Sequence, residues 1–405
     1  MKRKICFITD SIFTIGGVQR VTAVIANALS KYYDVTVMTF DSYKNYNISM
    51  YNISSRNISF VFLQYPRLNK IHNFFCKSYS YLYKKILPKN FFFSYLYSKS
   101  SFQYKQRKYL IDKLNNNEYN AIIAVHIFIS ARLGTINDKL NCNMVIGWIH
   151  NSYDALFGFN SNYIGSVLIP YYRFGLKQLQ NVIVLSNYDA EMFQKNMNLH
   201  PTVIYNPITL LHGNTITGKS KRFLAIGRFS HRHKGFDLLI KAFGLFAKKN
   251  KDWILDIVGE GPEEESYRTL IKLLGLEERV YIHPFTSNVQ YYYSNASIYI
   301  LSSRWEGFGL VLVEAMSYGL SIISSDIPTS KEILGNFGLY FRNGDYRDLA
   351  SVMMNAVNID IMENINNALI LANKFNIELI VKQWIQLFSF DDDAAIPKKG
   401  CLQQR

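Results

Sequence analysis

The chain has 405 residues, more than one hydrophobic core normally supports, so we expect two domains. Apolar residues make up 49% of it, but no run reaches the roughly eighteen residues that a transmembrane helix needs. The 4 cysteines stand singly, which excludes a disulfide framework or a cysteine metal site and fits a reducing cytoplasm. The formal net charge of +15 favours an anionic partner: nucleic acid, anionic lipid or a phosphorylated substrate.

The chain begins with a strand–loop–helix–strand pattern. Residues 4–9 and 33–40 read as buried strands, and apolar residues recur at helical spacing over residues 18–29. This is the unit of a doubly wound sheet, in which ligands bind at the carboxyl ends of the strands. Gly16 and Gly17 occupy the first loop, where they would let the backbone approach a ligand closely. The loop lacks the G-x-G-x-x-G pattern, which argues against a dinucleotide.

Residues 42–111 contain no Asp or Glu, yet they contain twelve Lys or Arg. Aromatic residues alternate with these cations, and the main ones are Phe74, Phe75, Tyr79, Tyr81, Tyr83, Phe91, Phe92, Phe93, Tyr95 and Tyr97. Such a mixture suits docking on an anionic membrane, for which we favour residues 65–110. Two other interpretations remain open: binding of single-stranded nucleic acid, or helices whose aromatic residues simply form a core.

Two later strands end in histidines. Residues 120–125 lead to His126, and residues 143–149 lead to His150. A histidine at the carboxyl end of a strand is placed to meet a ligand. A further strand over residues 181–185 precedes a helix that Ser186 should cap, and residues 203–207 read as the last strand of the first domain.

A second domain repeats the alternation of strands and helices. The strands are predicted over residues 222–226, 253–258, 280–283, 297–301, 321–324 and 338–341, with a helix over residues 236–248. Arg228 and Lys234 flank the loop after the first of these strands, where an Arg fork and a Lys point charge could hold a phosphate. Residues 259–262, Gly-Glu-Gly-Pro, form a turn after the second strand.

The most informative stretch follows the strand at residues 297–301. It holds Glu306, a turn with two glycines, and a helix that begins near Leu310 and contains Glu314. The free N–H groups and the positive dipole end of such a helix attract an anion. Carboxylates accept hydrogen bonds from hydroxyl groups, so the stretch suits a polyhydroxylated ligand that carries a phosphate.

Written out, residues 306–314 are E-G-F-G-L-V-L-V-E, which resembles the E-x7-E signature of the family 4 retaining glycosyltransferases. That family has the GT-B fold: two doubly wound Rossmann-like α/β domains with a cleft between them. The resemblance implies that Glu306 contacts the donor sugar and that Glu314 contacts the ribose of the nucleotide. It also implies that His150 faces the sugar or its phosphate, and that Arg228 and Lys234 hold the diphosphate.

The same resemblance supplies the set of candidate site residues. The predicted catalytic residues are Glu306, His150, Arg228 and Lys234. The predicted donor-binding residues are Gly16, Gly17, Arg228, Lys234, Gly259, Glu260, Phe308, Gly309, Leu310 and Glu314.

The predicted domain boundaries follow from these elements. Residues 1–207 would bind the acceptor, residues 208–221 would form a linker, and residues 222–374 would bind the nucleotide sugar. Residues 375–390 would form a helix that crosses back to the first domain, and residues 391–405 look disordered. The D-x-D match at Asp391 to Asp393 lies in that tail, so we discount it as a metal site.

The resemblance implies a hexosyltransferase that acts without a metal or other cofactor on a nucleotide sugar, with UDP-hexose favoured over GDP-hexose. The acceptor would be a lipid-linked oligosaccharide or lipopolysaccharide, and the enzyme would lie peripherally on the cytoplasmic face of the plasma membrane. A nucleotide-sugar epimerase of the same fold is the alternative. A nucleic-acid-binding protein is the third hypothesis, but it leaves Glu306 and Glu314 unexplained, so nucleic acid is not an expected partner.

Overall fold

A computed structural model describes residues 2–51, 53, 57–158, 163–210, 220–230, 233–358 and 361–388. Within them the strands form two parallel sheets. The first contains β1 Lys4–Thr9, β2 Asp34–Thr39, β3 Ile58–Phe62, β4 Ala121–Val125, β5 Val145–Trp148, β6 Asn181–Val184 and β7 Thr202–Val203. The second contains β8 Arg222–Ile226, β9 Ile254–Val258, β10 Val280–His283, β11 Ile298–Leu301, β12 Ser321–Ser325 and β13 Leu339–Phe341.

Helices connect the strands throughout. In the first half they are α1 Gly17–Leu29, α2 Lys70–Lys85, α3 Phe91–Ser101, α4 Tyr104–Asn115, α5 Ile127–Gly134, α6 Tyr153–Phe157, α7 Ile169–Leu176 and α8 Asn187–Met197. In the second half they are α9 Phe236–Ala247, α10 Glu264–Leu273, α11 Val289–Asn295, α12 Leu310–Ser317, α13 Pro328–Leu334, α14 Tyr346–Ala356, α15 Ile361–Ala372 and α16 Ile377–Leu387.

The strand order defines where a ligand can bind. The first sheet runs β3-β2-β1-β4-β5-β6-β7 and the second runs β10-β9-β8-β11-β12-β13. The order therefore reverses between β1 and β4 in one sheet and between β8 and β11 in the other. In doubly wound sheets the crevice at the carboxyl ends of these strands is the usual ligand site. The prediction of two doubly wound α/β domains is confirmed.

The central strands were predictable because a parallel strand covered on both faces needs apolar residues at every position. Strand β4 is buried along its whole length, for example. Most predicted strands differ from the observed ones by one or two residues at an end. The strand predicted over residues 203–207 is wrong, because β7 stops at Val203. Edge strand β3, which is only partly buried, was missed inside the acid-free span.

A continuous core joins the two halves. Trp384 of α16 packs edge-on against Trp148 of β5, with ring centroids 4.9 Å apart, and it also contacts Phe7 of β1. Helix α16, within the predicted range 375–390, thus packs on strands β1 and β5 of the first sheet. Residues 211–219 of the predicted linker and the predicted tail at 391–405 lie outside the described residues. Among the residues that the structure describes, none of the helices has the length and apolar character to cross a bilayer.

Candidate active site

The turn before α12 touches the first domain through a glycine. A Cβ added to Gly307 would lie 2.2 Å from the backbone oxygen of His150, which is closer than any side chain tolerates. Gly309 has φ 84° and begins α12 in the left-handed conformation, which favours glycine. The two glycines of the predicted turn therefore allow the carboxyl end of β5 to meet the helix start.

Glu306 lies beside that contact and is almost buried, with 8% of its surface exposed. The ammonium group of Lys234 donates to its Oε1 at 2.6 Å, and Nε2 of His233 lies 4.0 Å from the same oxygen. Burial raises the pKa of the Glu306 carboxyl, but Lys234 and His233 outweigh burial and lower it overall. Glu306 is therefore ionised at neutral pH.

The loops predicted to hold the diphosphate pack together. Gly259 has φ 156°, and a Cβ there would lie 2.0 Å from the oxygen of Gly227. The backbone N–H of Phe229 donates to the oxygen of Glu260 at 2.8 Å. The side chain of Lys234 passes over Gly227 towards Glu306. These contacts bring the predicted turn at residues 259–262 next to the loop that carries Arg228.

Arg228 and Lys234 differ in their surroundings. Arg228 is exposed, and within the described residues it forms no ion pair or side-chain hydrogen bond. Lys234 is largely buried and already engaged with Glu306. Arg228 is therefore available to an anion, whereas Lys234 would have to share its charge between Glu306 and a bound phosphate.

Glu314 is buried on the inner face of α12, with 2% of its surface exposed. The guanidinium of Arg20, from α1 of the first domain, forms an ion pair with its Oε1. The same oxygen accepts a hydrogen bond from Thr209 Oγ1 at 3.0 Å, and Oε2 accepts one from the Tyr293 hydroxyl at 3.1 Å. Glu314, which was predicted to contact the ribose, thus has partners from both domains.

His150 ends β5 and is 6% exposed. Neither of its ring nitrogens has a hydrogen-bond partner among the described residues, and its ring centroid lies 5.8 Å from that of His126. Burial, and then the neighbouring His126, lowers the pKa of the His150 imidazole well below its ordinary value. The side chain is therefore neutral and has both a donor and an acceptor to offer a ligand.

The remaining predicted residues lie around the same junction. A Cβ on Gly17 would lie 3.2 Å from Leu310 Cδ1, so the first loop reaches the start of α12. Gly16 immediately precedes α1. The side chain of Phe308 is buried against Tyr205 and Phe375, so a donor contact from Phe308 would have to come from its backbone.

Three residues of the junction were missed by the sequence analysis: Arg20, His233 and Tyr293. Arg20 follows the glycine pair Gly16 and Gly17 by one helical turn, in the segment G-G-V-Q-R at residues 16–20. A cation at that position could have been singled out from the sequence. His233 stacks on Trp305 with ring centroids 4.9 Å apart and directly precedes Lys234. Tyr293 carries no local signal, because its role depends on the packing of α11 against α12.

Comparison with known proteins shows which enzymes the chain is similar to. Residues 211–369 match the family model described as glycosyl transferases group 1. The matched part of the chain is similar to that family, and the chain as a whole has the GT-B fold. A variant of Staphylococcus aureus TarM, solved with fondaparinux, α-GlcNAc-glycerol and UDP, superimposes with a TM-score of 0.71 at 14% identity. The match covers 96% of this chain and 100% of that one, which establishes the shared fold.

Two relatives match this chain over most of its length. An uncharacterised glycosyltransferase of Haemophilus influenzae is 27% identical over 396 residues, which is 94% of this chain and 99% of the relative. The N-acetylgalactosamine-N,N'-diacetylbacillosaminyl-diphospho-undecaprenol 4-alpha-N-acetylgalactosaminyltransferase of Campylobacter jejuni is 27% identical over 335 residues, covering 80% of this chain and 82% of the relative.

Proposed function

We propose that this glycosyltransferase moves a hexose, with retention and without a metal ion, from a UDP-sugar to a lipid-linked oligosaccharide or lipopolysaccharide at the membrane surface. The pair formed by Glu306 and Lys234, beside the contact of Gly307 with His150, carries the proposal. It sets an ionised carboxylate, an ammonium group and a neutral imidazole around the junction of the two domains. A sugar diphosphate combines the hydroxyl and phosphate groups that such a set would bind.

The proposed reaction places negative charge on the departing diphosphate as the anomeric C–O bond breaks. Lys234, Arg228 and the start of α12 would stabilise that charge from positions fixed before the reaction. Glu306 would hold the donor sugar and favour the positive character that develops at its anomeric carbon. We assign Glu306 no nucleophilic role, since the acceptor would attack the face from which the diphosphate leaves.

The proposed donor and acceptor draw support from the comparisons. TarM is described as bound to UDP, and the name of the Campylobacter jejuni relative specifies a diphospho-undecaprenol acceptor. The surface of the first domain suits such a lipid. Along α2 the exposed apolar residues are spaced three, four and seven positions apart and therefore share one face; they are Ile71, Phe74, Phe75, Tyr81 and Leu82.

Ile86, which directly follows α2, and Phe91 and Phe92 at the start of α3 are also exposed. Exposed lysines of α2 flank its apolar face, and the acid-free composition leaves their charge uncompensated locally. Other aromatic residues of the same helices do form core, because Tyr83 and Tyr97 stack in the interior with centroids 4.6 Å apart. The outward face has the mixture of apolar and cationic groups that binds anionic lipid.

A panel of UDP- and GDP-sugars tests the donor. We expect a UDP-hexose to raise the melting temperature more than its GDP counterpart, and to be consumed faster when a polyprenyl-diphosphate-linked N-acetylhexosamine is present. Activity should survive a chelator, and NMR of the product should show the anomeric configuration of the donor. Release of an altered nucleotide sugar without acceptor would instead support an epimerase, and absence of any nucleotide-sugar binding would refute the proposed function.

A further inference from the structure

The backbone of His126 adopts a conformation that side chains rarely tolerate. Its φ is 78° and its ψ is 146°, in a region that glycine occupies far more readily. Among the described residues the other non-glycine with positive φ is Asn198. Asn198 ends α8 with φ 51° and ψ 51°, the ordinary left-handed conformation that asparagine accepts. His126 is therefore the unusual case.

Three hydrogen bonds hold His126 in this conformation. Its N–H donates to the oxygen of Trp148 at 2.9 Å, which extends the pairing of β4 with β5. Its own oxygen accepts from the N–H of Ser130 at 3.0 Å and from the Ser130 hydroxyl at 2.7 Å. Glycine would satisfy the same hydrogen bonds with less strain, so local folding alone does not account for the imidazole.

The imidazole of His126 lies beside that of His150, with ring centroids 5.8 Å apart. Its Nδ1 is buried without a hydrogen-bond partner among the described residues, and so are both ring nitrogens of His150 nearby. Burial lowers the pKa of His126, and the opposing influence of the Asp10 carboxylate is smaller. Two neutral imidazoles with free nitrogens are a suitable arrangement for binding hydroxyl groups.

Topology places His126 on the acceptor side of the junction. It ends β4, and Asp10 follows β1, so the two residues flank the point where the strand order of the first sheet reverses. His150 ends the next strand and abuts Gly307, on the side of the proposed donor. His126 ends the strand between β5 and β1, about 4.8 Å from each of them.

The surroundings of His126 also connect it to the proposed membrane face. Ile127, the next residue, belongs to the same hydrophobic cluster as Tyr83 of α2 and Tyr97 of α3. Those two tyrosines form the inner side of the helices whose outer side is apolar and basic. The core beneath the proposed membrane face thus extends to the residue that follows His126.

We propose that His126, together with Asp10, binds the attacking hydroxyl of the acceptor sugar and orients it towards the anomeric carbon of the donor. This assignment rests on the proposed function. In the transfer step the acceptor oxygen forms the new C–O bond, the bond between the anomeric carbon and the diphosphate oxygen breaks, and the hydroxyl proton passes to the departing diphosphate. His126 takes up no net proton; it positions the nucleophile.

The variant His126→Gly separates this role from a structural one. We expect its melting temperature to equal that of the wild type or to exceed it by up to about 3 °C, because glycine relieves the strain. UDP affinity, measured by calorimetry, and slow hydrolysis of the UDP-sugar by water should stay within about twofold. Transfer to a polyprenyl-diphosphate-linked N-acetylhexosamine in detergent micelles should fall by at least about tenfold in kcat/KM.

The matched control is Asn198→Gly, which also places glycine at a positive-φ position but lies at the end of α8. It should leave transfer unchanged. Transfer by His126→Gly at the wild-type rate would overturn the assignment of His126, and so would an equal loss of transfer and donor hydrolysis, which would place His126 on the donor side. A wild-type chain that binds UDP-sugars yet transfers to no lipid-linked acceptor would instead overturn the proposed function.

Discussion

At the scale of single residues, the ion pair between Glu306 and Lys234 preserves both charges of the candidate site. A buried carboxylate without a partner would take up a proton, whereas Lys234 keeps Glu306 ionised despite its burial. The cation that should meet the diphosphate therefore also keeps the carboxylate in the form that should meet the sugar. Removing either charge alters the other group as well.

The variant Glu306→Gln tests this coupling. It preserves the shape of the side chain but removes the charge, so we expect kcat to fall by roughly a hundredfold or more. UDP affinity should change by less than about threefold and in the direction of tighter binding, because Lys234 would no longer be shared. Steady-state kinetics and calorimetry with UDP measure the two effects.

Glu264→Gln serves as the control, because Glu264 pairs with Arg268 on the outside of α10 and both side chains are substantially exposed. That variant should match the wild type in kcat and in UDP affinity. Unchanged transfer by Glu306→Gln would contradict the proposed role of Glu306.

The residues that were predictable are those whose role is local in sequence. Gly307 and Gly309 stand in a turn between a strand and a helix, and their neighbours Glu306 and Glu314 carry a recognisable spacing. Arg20 lies 294 positions from its partner Glu314, so their pairing depends on how the two domains dock. No local pattern records that docking.

At the scale of elements, the buried strands could be predicted from local sequence, whereas the structure of the acid-free span, residues 42–111, could not. Strand β4 is apolar throughout, and β1 and β8 have apolar interiors, because helices cover both faces of their sheets. Residues 42–111 combine edge strand β3 with helices that are buried on one side only, and their aromatic residues serve both environments. Composition indicated a lipid-binding surface there, but it could not separate buried Tyr83 from exposed Tyr81.

The outer face of α2 predicts binding to anionic vesicles. In flotation assays with equimolar phosphatidylglycerol and phosphatidylcholine, we expect binding at low salt that weakens as salt is added. Replacing Phe74 and Phe75 together by serine should reduce binding by at least about fivefold, because both rings would lose apolar burial. The fold should be unaffected, since both side chains are exposed.

Tyr291→Ser is the matched control for the vesicle assay, because Tyr291 is comparably exposed but lies on α11 of the second domain. It should bind vesicles like the wild type. Equal binding by the double serine variant would exclude this face as the membrane contact, and wild-type protein that stays unbound at low salt would exclude membrane docking altogether.

At the scale of the whole molecule, two carboxylates of the second domain bind residues of the first domain. Glu314 pairs with Arg20, as described above. Glu332 of α13 lies at the start of α8, where its Oε1 accepts from the backbone N–H of Asn187 at 2.7 Å and from the Tyr205 hydroxyl at 2.8 Å. Its Oε2 accepts from the N–H of Tyr188 at 3.2 Å. A carboxylate at a helix start gains from the free N–H groups and the helix dipole.

This second contact predicts that domain closure can be weakened without touching the donor site. Glu332→Ala leaves the first N–H groups of α8 without their carboxylate, so we expect a larger radius of gyration in small-angle X-ray scattering. UDP affinity should change by less than about threefold, because the proposed phosphate ligands belong to the second domain. Transfer should fall by roughly five- to fiftyfold, since it needs Gly307 against His150 and is reduced by the fraction of molecules that are open. Lys331 is exposed and lies one residue away on the same helix, so Lys331→Ala should leave both the radius of gyration and the transfer rate unchanged. An unchanged radius of gyration together with unchanged transfer would show that the contact at Glu332 does not hold the domains closed.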